Sequence, residues 1–259
     1  MSFYNKVILI TGAGSGIGAA TAVAFAKQSA IVSIVDINEQ DLNKTAEVCK
    51  TNNKEVLKIV ADLTRDEDIK RIVDDTIAKF GKLDVLVNCA GMYTPAKIES
   101  NNLMKIYDRI LAVNLRSIVA LTNYAVKHLI EAKGSIVSIC SVSAKLVTKN
   151  NLPYSISKAG LMHFTKCAAI ELAEKGVRVN SISPGVVKTN IFQSSGFNET
   201  EIKMCINTCI DNTPLGAMIQ PEEIADVVLF LSSDKAKNIT GSDYLIDGGM
   251  LLNGLVIIG

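Results

Sequence analysis

The chain has no tryptophan, only five prolines and only two histidines in 259 residues. So few histidines leave the six cysteines without obvious zinc partners, and only Cys205 and Cys209 lie close together. The others (Cys49, Cys89, Cys140 and Cys167) are scattered and mostly flanked by apolar residues, a pattern that predicts free thiols in a reducing compartment. An excess of one charge is also missing: 27 basic and 26 acidic residues leave a net charge of +1, with no long run of either sign. That argues against a nucleic-acid partner and against a polybasic membrane-binding face. No apolar run reaches the roughly 18–20 residues of a membrane span. The N-terminus lacks the basic region, apolar stretch and cleavage site of a secretory leader. A cytoplasmic location is expected.

What the chain does have is 48% apolar residues, enough to bury a large core. Its length suits one α/β domain over 1–259 better than two small ones. Short β-branched runs occur at 7–11 (VILIT), 31–36, 55–62, 83–90, 134–140, 177–183 and 242–247. Segments with helical spacing separate them, such as Ile17 to Gln28 and Ile69 to Phe80. Near-continuous apolar strands alternating with helices predict a parallel sheet with helices on both faces. Two stretches break the rhythm. Residues 190–213 form a long segment that reads as a substrate loop. The terminal MLLNGLVIIG is too apolar for a solvated tail and is expected to pack on the core or on a neighbouring subunit.

Chemistry enters at the first turn, where Thr11 leads through Gly12, Ser15, Gly16, Ile17 and Gly18 into a helix. Glycines between a strand and a helix let backbone approach a pyrophosphate, and the helix N-terminus supplies N–H donors to it. Tight βα turns also use glycine for shape alone. Asp36 ends the second strand, where a carboxylate can accept hydrogen bonds from ribose hydroxyls and repel a 2′-phosphate. Its plain alternative is a turn residue or helix cap. Taken together, Asp36 and the glycine turn favour NAD over NADP.

Further along stand Asp62-Leu63, Asn88-Cys89-Ala90-Gly91, Val113-Asn114-Leu115 and Ser141. They are followed by Tyr154-x3-Lys158, Ser183-Pro184-Gly185 with Thr189, and Asp247-Gly248-Gly249. In this order, and over essentially the whole chain, these motifs resemble the short-chain dehydrogenase/reductase family. Cys89 departs from the family's usual second asparagine.

The resemblance implies a Rossmann-type, doubly wound, seven-stranded parallel sheet. It implies Tyr154 as general acid/base, Lys158 lowering the phenol's pKa and holding ribose, Ser141 orienting the substrate oxygen, and Asn114 holding a water. Pro184, Val187 and Thr189 would line the nicotinamide end of NAD, with Asn88, Ala90 and Gly91 near the adenine ribose and Asp62-Leu63 near the adenine. Ser141, Ser143, Tyr154 and Met92 would face the substrate, with Lys145, Tyr93 and Val186 as further wall elements.

The implied reaction interconverts a secondary alcohol and a ketone on a hydrophobic skeleton of steroid, terpenoid or acyl type. An NADPH-dependent 3-oxoacyl reductase is the alternative within the family. A non-catalytic NAD-binding regulator predicts loss of Tyr154, Lys158 or Ser141, and all three are present. A methyltransferase on a similar turn leaves those three residues without a purpose. A homotetramer is also implied, packed through helices around 102–132 and 154–175.

Overall fold

A computed structural model describes residues 2–50 and 55–253. The apolar runs become seven parallel strands: β1 Val7–Thr11, β2 Ile31–Asp36, β3 Val56–Val60, β4 Val85–Asn88, β5 Ser135–Ile139, β6 Arg178–Pro184 and β7 Asp243–Ile246. They form one sheet in the order β3-β2-β1-β4-β5-β6-β7. Strand order therefore reverses between β1 and β4, where neighbouring crossovers leave in opposite directions and open a crevice at the strands' carboxyl ends. The doubly wound parallel fold expected from the sequence is present.

Alternation along β1 sorts the helices into two layers. Ile8 and Ile10 face the core shared with α1 (Gly16–Lys27), α2 (Glu39–Cys49) and α9 (Pro221–Ser232). Val7 and Leu9 face the other core, built with α3 (Asp66–Phe80), α5 (Ser117–Ala132) and α6 (Leu152–Leu172). With both faces covered, β1 is buried at all five positions. Asp84 ties the start of β1 to β4. Its carboxylate accepts from Val7 N at 2.9 Å and pairs with Lys6 at 2.8 Å and Lys82 at 3.0 Å.

The segment expected as a loop over 190–213 is largely helical. It contains α7 (Ile191–Ser194) and α8 (Glu199–Asp211), joined through Gly196 at φ +83°. A capping box starts α8: Asn198 accepts from Glu201 N, and Glu201 accepts from Asn198 N. No side chain of α8 whose burial is described is fully buried, so this element lies over the body rather than within it. Of the apolar C-terminal run, Met250–Leu252 form a short 3-10 turn, and residues 254–259 lie outside the described residues.

Candidate active site

The crevice at the β1/β4 reversal is a cavity of about 780 Å³. One end is built by the β1–α1 turn. Gly12 has φ +66°, and a Cβ there would lie 2.7 Å from the backbone of Ala90. A Cβ on Gly18 would lie 2.1 Å from the Gly12 carbonyl oxygen. Only glycine lets these three segments meet. The α1 helix then opens with no acidic residue in its first turn and no side-chain cap bond from Ser15. Its N–H groups and positive dipole end stay open to an anion, so this cradle fits a dinucleotide's pyrophosphate.

Asp36 stands beside the turn. Its carboxylate accepts from Gly14 N and Asn38 N, both at 2.9 Å. Asp41 and Asp62 also line the cavity, whose only basic lining side chains among the described residues are Arg109 and Lys158. Gly12, Ser15, Gly16, Ile17, Gly18, Leu63, Ala90, Gly91, Pro184, Val187 and Thr189 all line it as expected. Asn88 does not. It is buried in β4, where its amide donates to Ser138 Oγ at 3.1 Å across the sheet. Asn88 lies opposite Ser138 in the β4–β5 register, so the two side chains share one face of the sheet and meet there.

The other end gathers Ser141, Tyr154 and Lys158. Ser141 caps the 3-10 turn Val142–Ala144, accepting from Ser143 N at 3.1 Å. Tyr154 and Lys158 lie one turn apart on the face of α6 that meets this cap. The Lys158 ammonium donates to the Ile139 carbonyl at 2.9 Å and sits 5.7 Å from the Tyr154 ring centroid. It remains next to the crevice, because a Cβ on Gly91 would lie 3.5 Å from it.

Burial pushes the Tyr154 phenol up to about 12, with the Ser141 hydroxyl acting in the opposite direction. Burial also lowers the pKa of Lys158, whose ammonium is turned to the Ile139 carbonyl.

Asn114 is fully buried in a π-helical turn, Ala112–Arg116, between α4 (Leu103–Leu111) and α5. Its Oδ1 accepts from Met92 N at 2.8 Å, while Nδ2 donates to Met92 O and to Ser157 Oγ. It therefore pins the β4–α4 loop to α6, a link that the sequence motif did not reveal. Met92 and Ser143 line the crevice as expected. Lys145 does not: its ammonium pairs with Asp243 at 2.8 Å, a carboxylate that also accepts from Ser181 and Ser183.

Asn151, Leu146 and Arg109 line the cavity without having been singled out. Asn151 donates to Ser143 Oγ at 3.1 Å. Its place immediately before Leu152-Pro153 at the start of α6 was the available signal.

A family model described as Enoyl-(Acyl carrier protein) reductase matches residues 12–251. The chain belongs to the short-chain dehydrogenase/reductase family. Cyclohexanol dehydrogenase of an Acinetobacter species is 35% identical over 247 residues, covering 95% of each chain. The 3-oxoacyl-(acyl-carrier-protein) reductase of Thermotoga maritima is 35% identical over 253 residues, covering 97% of this chain and all of that one. A short-chain dehydrogenase/reductase of Caenorhabditis elegans, solved with cofactor, superposes with a TM-score of 0.91 at 34% identity and 96% coverage of both chains. The protein is thus an oxidoreductase of the short-chain type, a family that binds nicotinamide cofactors and acts on small molecules. No helix among the described residues is long and apolar enough to cross a membrane.

Proposed function

We propose that the protein is an NAD-dependent enzyme interconverting a secondary alcohol and a ketone. The observation that carries this reading is the meeting of Ser141, Tyr154 and Lys158 at one end of a crevice whose other end is a glycine cradle. Gly12 to Gly18 would hold the pyrophosphate, Asp36 the adenosine ribose, and Lys158 with the Pro184–Thr189 segment the nicotinamide half. Bound there, the dinucleotide supplies the hydride acceptor or donor.

The chain's own work is proton handling and orientation. Ser141 donates to the substrate oxygen and fixes the reacting carbon near Tyr154. Tyr154 accepts the hydroxyl proton in oxidation and donates it in reduction. Lys158 places a positive charge one turn away, favouring the phenolate as it forms. Asn114 ties Met92 to Ser157 of α6, the helix that carries both Tyr154 and Lys158.

Asp36, Asp41 and Asp62 make the adenosine end acidic, which disfavours a 2′-phosphate and supports NAD over NADP. Six unbridged cysteines suit a cytosolic setting. Met104, Val119 and Ile156, exposed on α4, α5 and α6, suit burial in a homotetramer of single-domain subunits.

The test is NADH formation or loss with a panel of alcohols, ketones and an acetoacetyl thioester, with each cofactor form. Turnover of alcohols or ketones with NAD(H) is expected. Turnover of the thioester alone, with NADPH, would replace this reading with a 3-oxoacyl reductase.

A further inference from the structure

Two separate segments bring aromatic rings to the wall beside Tyr154. Tyr93, from the loop after β4, stands edge-on to Tyr154 with centroids 5.3 Å apart and planes at 84°. Phe192 of α7 meets Tyr93 edge-on at 6.2 Å, and Phe197 stacks on Tyr93 at 6.1 Å and 18°. Phe192 and Phe197 close the group at 5.8 Å, folded together through Gly196. These rings are not core: Tyr93, Phe192 and Phe197 are each only half-buried. Tyr93 and Phe192 face the cavity, whose same end carries Met92, Val142 and Leu146.

A wall of this kind discriminates by the shape and polarity of what it covers. The C–H edges of an alicyclic ring, or the face of an aryl ring, complement aromatic faces and edges beyond what area alone provides. A polyol would bury several hydroxyls against ring faces that offer only the Tyr93 hydroxyl as a partner. A flexible chain of equal carbon count would be ordered at an entropic cost.

We propose that Tyr93 and Phe192, supported by Phe197 packed on both rings, form a ring-selective subsite. The substrate is then a secondary alcohol or ketone whose reacting carbon lies in, or next to, an alicyclic or aryl ring. This inference rests on the proposed role of Tyr154 as the proton-transfer group. Phe192 and Phe197 both come from the α7–α8 segment, so the wall depends on how that segment lies over the body.

Two arms test it, one without catalysis. In the first, kcat/KM is compared for cyclohexanol against 2-hexanol and for 1-phenylethanol against 2-octanol, pairs of equal carbon count. The intact enzyme is expected to favour the ring by about tenfold or more. Tyr93→Leu and Phe192→Leu, which keep apolar volume, should bring that ratio close to one, and Tyr93→Phe should retain it.

In the second arm, calorimetry compares cyclohexanecarboxamide with heptanamide, inert carbonyl ligands of equal carbon count, on the NADH complex and on the enzyme alone. The ring ligand should bind tighter, and Tyr93→Leu should remove the difference. Equal ring and chain preference in the intact enzyme, or an unchanged ratio in both leucine variants, overturns the subsite. If no alcohol or ketone turns over with either cofactor, the catalytic reading fails, and the amide titration alone decides whether the wall selects rings.

Discussion

Tyr154 stands between the Ser141 hydroxyl, which favours its phenolate, and a buried setting that opposes it more strongly. With the phenol pushed up to about 12, it is protonated throughout the neutral range. Reduction, which needs that proton, should therefore show a flat kcat/KM up to about pH 10, while oxidation should climb steadily with alkalinity. Ser141→Ala removes the favourable hydroxyl and should push the oxidation profile further toward alkaline pH. Paired pH profiles check this, and an oxidation plateau beginning near neutrality would contradict the raised phenol. At the other end of the crevice, Asp36→Ala should cut the NAD-over-NADP preference by about tenfold or more, read as the ratio of kcat/KM for the two cofactors. An unchanged ratio would remove Asp36 from cofactor choice.

At the scale of elements, the β1–α1 turn is the part with least freedom. Gly18→Ala would drive a methyl group to within 2.1 Å of a backbone oxygen, so turn and helix must shift apart. The expected cost is about 2–3 kcal/mol, seen as a lower denaturant midpoint, together with loss of cofactor affinity. A variant with the parent midpoint would show that the turn is slacker than its geometry implies. This turn was legible in the sequence because its constraint is backbone spacing, which glycine positions encode directly. The strands were legible for a similar reason, since burial on both faces writes continuous apolar runs. Lys145 and Asn88 were less so. Their neighbours in the chain suggested the crevice, but Asp243 and Ser138, far off in sequence, claimed them. The aromatic wall also depends on distance in sequence. Tyr93 and Phe192 carry no local signal that they meet.

Across the whole molecule, one buried carboxylate links acid stability to the sheet. Burial alone would raise the Asp84 pKa, but hydrogen bonds from Lys6, Val7 N and Lys82 outweigh it and leave the value lowered. A lowered folded-state pKa stabilises the protein above the ordinary carboxylate range, near pH 4, and that contribution is lost as pH falls through the folded value. Asp84→Asn should therefore lower Tm at neutral pH, by about 2 kcal/mol in stability, and flatten its fall below pH 4. Identical Tm–pH curves for the two proteins would contradict the link. Proton transfer by Tyr154 in an NAD-dependent oxidation is the proposed step on which the other roles depend. The direct measurement is the initial rate of NADH formation from a secondary alcohol, with intact enzyme and Tyr154→Phe side by side. Steady turnover is expected from the first and a loss of about a thousandfold in the second, with NAD affinity the same in both. Comparable rates from the two proteins would contradict it.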